Sequence, residues 1–158
     1  MANTQSMCTS FMGELMTATH NFGTAPTRGT SATDSFKAAL YLVSATLNAS
    51  TTAYSATGEV SGTGYTAGGV AVTAATAPTA TNASSTAGVA FFTPSASLVY
   101  TTVTLTTAFD TVLIYNSTQS NKAVSVHTFG SQTITAGTFT LTMPSNTTTT
   151  ALLRLATT

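Results

Sequence analysis

The spacing of apolar and polar positions changes along the chain, and each change predicts an element. Between Thr4 and His20, Met7, Phe11, Met12 and Leu15 recur at helical spacing. This predicts one short amphipathic helix, with Ser6 or Thr9 as its N-cap and Gly23 as its stop. Gly13 weakens that helix, so its methionine-rich face needs packing partners in its own domain or on a neighbouring subunit. Thr24 to Thr33, with Pro26, predicts a loop. From Asp34 the period becomes two: Phe36, Ala38, Leu40 and Leu42 fall on one face of a strand, Lys37, Ala39, Tyr41 and Val43 on the other.

Asn48 to Val60 predicts either irregular chain or a brief helix through Thr52 to Thr57 that turns Tyr54 toward the core. The five glycines from Gly58 to Gly69 predict an elaborate connection rather than a regular element. Val70 to Ala75 predicts a strand, Ala77 to Thr86 a loop around Pro78, and Val89 to Thr93 a strand that stops at Pro94. Further β-prone runs are Val103 with Leu105, Val112 to Tyr115, Ala123 to Phe129, Gln132 to Ile134, Phe139 to Met143 and Leu152 to Leu155. Asn116 to Asn121, Gly130, Gly137 and Pro144 to Thr150 supply the expected turns. About eight or nine short strands, without alternating helices, predict a mainly β fold. The expected architecture is a single-domain antiparallel β-sandwich or jelly-roll-like barrel with a short N-terminal α-helix. Residues 1–33 would form the helix and arm, and residues 34–158 the β core.

Composition narrows the function classes. Charged residues make up 5% of the chain, where a soluble domain carries about 25%, and Thr supplies about a quarter of it. Four Lys and Arg against four Asp and Glu leave no basic excess, which argues against nucleic acid as a partner. A net charge near zero gives a free monomer little protection against association, so residence in an assembly suits this surface, as a homo-oligomer or in multiple copies. The lone Cys8 excludes an intramolecular disulfide. With no apolar stretch long enough to span a membrane and no basic leader, the chain is expected to be soluble, unprocessed and not membrane-bound.

The residues available for chemistry are His20, His127, Cys8, Glu14, Asp34, Glu59, Asp110, four basic residues and the hydroxyls. A Ser-His-Asp set can be written with His127 and Asp110, but no Gly-x-Ser-x-Gly elbow presents a nucleophile. His127 alternates with Val124 and Val126 along a strand, which favours a structural or solvent-facing role. Four carboxylates make a two-carboxylate glycosidase improbable. The pattern lacks the spaced ligands of zinc, the acidic loop of calcium and the Gly-Lys-Ser/Thr of a phosphate loop. The expectation is therefore no enzyme, no metal and no cofactor, but a binding protein whose poorly guarded strand edges are covered by neighbours.

Four segments carry a family resemblance: Phe36-Lys-Ala-Ala-Leu-Tyr-Leu42, Glu59-Val-Ser-Gly-Thr-Gly-Tyr-Thr-Ala-Gly-Gly69, Val112-Leu-Ile-Tyr-Asn-Ser117 and Thr138-Phe-Thr-Leu-Thr-Met-Pro144. In content and order they resemble a family of small virion structural proteins of tailed bacteriophages, from the N-terminal helix to Leu152-Leu-Arg-Leu155. In that family the strand corresponding to Val124 to Gly130 tends to end in an Asp-Phe-Gly-like step. Here it reads His127-Thr-Phe-Gly130, so no acidic role carries over. The resemblance implies a virion component, assembled in the host bacterial cytoplasm, whose partners are the major capsid protein or other virion proteins. A capsid decoration or cement protein at capsomer junctions is the first expectation, and a connector or tail ring the alternative. A receptor- or glycan-binding adhesin using Tyr54, Tyr65, Tyr100 and Tyr115 as stacking residues is a third. The candidate interface residues are Met7, Phe11 and Leu15 on the helix, Tyr65 in the Gly62 to Gly69 loop, and Asn116 and Asn121 at a loop tip.

Overall fold

The computed structural model describes residues 3–16, 18–22, 33–73, 78–81 and 88–156. Among the described residues the fold is mainly β, the sheets are antiparallel, and one short helix lies near the N-terminus, so the expected mainly β class holds. In chain order the elements are β1 (Ser6–Met7), α1 (Thr9–Met16), β2 (Phe36–Leu42), β3 (Val70–Val72), β4 (Thr79–Thr81), β5 (Val89–Phe92), β6 (Leu98–Asn116), β7 (Lys122–Leu141) and β8 (Leu153–Ala156). They fall into two compact units that interleave along the sequence. One comprises Met1–His20, Asp34–Val72 and Leu98–Thr140; the other Asn21–Thr33, Thr73–Ser97 and Leu141–Thr158.

The first unit is built on a five-stranded sheet in the order β1-β7-β6-β2-β3. Its centre is the β6–β7 ribbon, closed by the turn expected at Asn116 to Asn121, where Ser120 and Asn121 take left-handed conformations. The runs expected to be five separate strands between Val103 and Met143 are thus two long ones. Thr is at home on a pleated surface and carries the strand across gaps that look polar, while Gly130 and Gly137 lie inside β7 instead of ending it. Ten residues of straight strand span about 33 Å, yet the rings of Phe129 and Phe139 lie 5.3 Å apart and both meet Phe109. The ribbon therefore bends back on itself. Thr102 and Ala136, both at positive φ, supply the local irregularity such a bend uses.

β2 pairs with β6 from Phe36↔Asn116 to Leu42↔Phe109 and is buried on both faces, not one. The glycine-rich connection is stitched to the edge of the sheet, to β2 beyond its pairing with β3 and to β6. Leu42 N–H donates to Gly58 O, Val60 N–H to Leu40 O, and Thr104 N–H to Thr63 O. Of the two readings of Asn48 to Val60 the irregular one holds: Thr52 to Thr57 forms no helix and bridges from Ala53 to Lys122. α1 is shorter than the spacing suggests, because residues before it are drawn into β1: Ser6 and Met7 pair with Val126 and Ser125, and Cys8 N–H donates to Val124 O. The loop expected from Ala77 to Thr86 contains β4. The stop expected at Gly23 and the end of the strand expected at Val70 to Ala75 lie outside the described residues.

The second unit holds a three-stranded sheet in the order β4-β5-β8. β5 pairs with β8 from Phe92↔Leu153 to Val89↔Ala156. Phe22 packs on Phe92 with ring centroids 5.0 Å apart.

Gly69 is required twice over: its φ is +73°, and a Cβ there would overlap the carbonyl of Ala38. A left-handed non-glycine residue alone costs about 1–3 kcal/mol. Gly69→Ala is therefore expected to lower stability by more than about 3 kcal/mol, whereas Gly13→Ala, in α1 with open space around it, should be neutral or raise it by up to about 1 kcal/mol. Urea unfolding of the two variants checks both signs.

Candidate functional site

Two polar networks in the first unit gather most of the chemistry-bearing residues. The first is centred on Asn116, at the end of β6 and fully buried. Its Nδ2 donates to His20 Nδ1 (3.0 Å) and to Asp34 Oδ2 (2.8 Å), and its Oδ1 accepts from the backbone N–H of Thr118 and Gln119. The opposite amide orientation would set oxygen against a carboxylate and NH2 against two donors, so the network fixes it. With the amide donating to Nδ1, the neutral His20 ring carries its proton on Nε2 and donates to Glu14 Oε2 at 2.7 Å. Lys122 Nζ reaches the other oxygen of Glu14 at 2.6 Å, and Gln119 Nε2 donates to Asp34 Oδ1. Burial works against the charge of Glu14, but the hydrogen bonds from Lys122 and His20 outweigh it and hold the carboxyl below its ordinary range. The chain of contacts ties α1, the start of β2 and both ends of the ribbon turn.

The second network is centred on Glu59. Its Oε2 accepts from Tyr54 Oη at 2.6 Å, and its Oε1 accepts from Tyr65 Oη and Gly68 N–H, both at 2.7 Å. Tyr65 Oη in turn accepts from Leu40 N–H. The hydroxyls of Tyr41, Tyr100 and Tyr115 donate to the carbonyls of Ser55, Ala38 and Gly68. Tyr54 stacks on Tyr115 at 4.7 Å and Tyr65 on Tyr100 at 6.0 Å. Tyr54, Tyr65 and Tyr115 thus engage the glycine-rich connection by hydrogen bonds and Tyr100 by stacking on Tyr65, while Tyr41 holds the preceding segment at Ser55. Burial first, and the nearby Glu59 charge for each of them, push their hydroxyl pKa values up.

The remaining candidates for chemistry are not assembled. Asp110 Oδ1 accepts from Asn3 Nδ2 and Thr111 Oγ1, while His127 Nε2 lies 2.9 Å from Ser125 Oγ. Ser125 is 1% exposed, and burial depresses His127 to about 4. The Ser-His-Asp set that can be written from the sequence is therefore not formed by these groups. Cys8 is fully buried, and burial followed by the charge of Glu14 pushes its thiol up to about 11, which suppresses the thiolate. Among the described residues no group of three or more His, Cys, Asp or Glu is placed to hold a metal ion, and no helix is long and apolar enough to cross a membrane.

The six candidate interface residues have different fates. Phe11 is buried against His20, with ring centroids 4.9 Å apart, so its ring packs within the chain's own fold. Asn116 is buried with every polar atom engaged. Met7, which lies in β1 and not in the helix, is half-buried, as are Leu15 and Tyr65, and Asn121 is exposed at the ribbon turn. One feature of β7 is not visible in the spacing of its apolar positions. β1 covers its outer edge only at Ser125 and Val126, and the segment beyond is solvent-facing, with Gly130, Ser131, Gln132, Thr133 and Thr135 exposed. The signal was in the sequence: no Lys, Arg, Asp or Glu stands between Lys122 and Arg154. Compared with protein-family models, with curated proteins and with solved structures, the chain matches none.

Two tests follow from the networks. Asn116→Ala leaves Asp34 and two backbone donors short of partners and is expected to lower stability by about 3 kcal/mol, while Asn121→Gly at φ 60° should stay within about 0.5 kcal/mol of wild type; chemical denaturation distinguishes them. Because folding raises the tyrosine pKa values, the unfolded chain releases those protons first as pH rises. The stabilisation is complete below about pH 10 and is lost above it. An absorbance titration should show tyrosinate appearing together with loss of the β circular dichroism signal.

Proposed function

We propose that this chain is a structural component of a tailed-bacteriophage virion, acting as a decoration or cement protein that binds the outer shell and braces capsomer junctions. The observation that carries this reading is the contrast between interior and edge. Every carboxylate in the chain and every tyrosine hydroxyl is engaged in internal hydrogen bonds, while a long uncharged strand edge is left open. A protein arranged in this way offers backbone hydrogen bonds and small hydroxyl side chains to a partner, which is the chemistry of strand addition. The resemblance of the Glu59 to Gly69 segment and its neighbours to phage virion proteins supplies the setting. Weak contacts of this kind gain strength when many copies act on one shell.

Quantitative mass spectrometry of purified particles, normalised to the major capsid protein, tests the assignment. Copy numbers on the order of hundreds are expected for a shell protein. A count near six or twelve would move the chain to a connector or tail ring, and absence from the particle would overturn the virion reading altogether.

A further inference from the structure

The open edge of β7 is specific enough to name its partner. Between Thr128 and Thr135 the strand is hydrogen-bonded to β6 on one side. On the other side, among the described residues, the only group reaching the backbone is the strand's own Gln132, whose Nε2 donates to Gly130 O at 3.1 Å. An edge that must stay single is normally guarded by an inward charge, a lysine or a proline. This one has none, and His127 beside it, held neutral by burial at physiological pH, adds no charge. Ala136, at φ 46°, breaks the strand geometry and sets the limit of the segment.

We propose that this edge pairs antiparallel with the same edge of a second copy of the chain, about a two-fold axis near Thr133. A two-fold pairing sets residue i against j and j against i, so any charge on the edge would face its own image or a near neighbour. An uncharged, Thr- and Ser-rich segment is compatible with that arrangement and gives a charged foreign peptide nothing to pair with. The small side chains of Ser131, Thr133 and Thr135 permit cross-strand hydroxyl contacts. With the axis at Thr133 and the limit at Ala136, the pairing runs from Ser131 to Thr135, five residues a side and less than a standard interface, so the free dimer is weak and fills only at high concentration. The inference rests on the reading that exposed edges are this protein's contacts, and it adds that the partner is the chain itself.

Sedimentation velocity of the full chain, over a concentration series reaching about 1 mM, tests it. Wild type is expected to shift from monomer to dimer. Thr133→Lys combined with Thr135→Lys should weaken association at least tenfold while leaving the circular dichroism and melting temperature unchanged, and Ala71→Glu on the opposite sheet edge should associate as wild type does. Hydrogen exchange of wild type provides a readout free of substitutions: outward-pointing amides between Ser131 and Thr135 should become protected as concentration rises. A strictly monomeric wild type, association indifferent to the lysines, or association abolished by Ala71→Glu alone would each overturn the proposal. A virion copy number that failed the preceding test would leave this result untouched, so the two failures are distinguishable.

Discussion

The carboxylate of Glu59 is the contact on which the covering of the sheet depends. Segments this rich in glycine have high conformational entropy when unfolded and few side chains with which to recover it. Here the recovery comes from a charged acceptor that draws in two tyrosine hydroxyls and a backbone N–H. Hydrogen bonds to a charged group contribute about 1.5–3 kcal/mol each, and the stacked tyrosine pairs add to them. Once the connection is fixed, it pairs along β2 beyond β3 and supplies a backbone partner to β6, so a stretch that would have been a bare edge becomes interior. The glycines allow this approach: at Gly69 a side chain would separate the connection from Ala38.

The scarcity of charge and the openness of the edge are two aspects of one arrangement. With only four acidic residues, a chain that fixes Glu14, Asp34, Glu59 and Asp110 inside hydrogen-bond networks keeps almost no carboxylate for its surface. The surface is then left to threonine, serine and glycine. Such a surface hydrates well but repels nothing, so it tolerates close approach by another neutral surface. The same allocation sets the surroundings of two residues that suggest chemistry. His20 is a positioning element between Glu14 and Asn116, and Cys8 lies in an environment that disfavours its thiolate.

What was legible in the sequence follows from how local each signal is. The strand Phe36–Leu42, the turn at Asn116 to Asn121 and the strand near the C-terminus were legible because alternation and turn chemistry act within a few residues. The long ribbon was not, since Gly130 and Gly137 look like turns and only pairing with β6 keeps them in a strand. β4 was hidden because Thr79–Thr81 gains its strand character from the partner Val89–Phe91, not from its own composition. Met7 was assigned to the helix by spacing that ends in fact at β1. Asn116 illustrates the limit most clearly: at a turn an asparagine signals a loop tip, yet its buried amide joins residues 82 and 96 positions away.

The bend in the ribbon links these points to assembly. Phe109, Phe129 and Phe139 close on one another across the fold of β6 and β7, with Phe109 edge-on to both other rings, a geometry aromatic pairs prefer. The cost of that curvature falls at Thr102 and Ala136, where the backbone is left-handed without glycine. The bend also separates two regimes along β7. Before it, Ala123, Val124, Ser125 and Val126 are buried, the last two paired with β1; through the arc from Gly130 to Thr138 the strand stands away from the core with most of its residues in solvent. An arc held at both ends by packed aromatics is stiff without being buried, so an incoming strand finds its hydrogen-bonding groups already aligned. Preorganisation of this kind reduces the ordering cost of a contact whose area alone is modest.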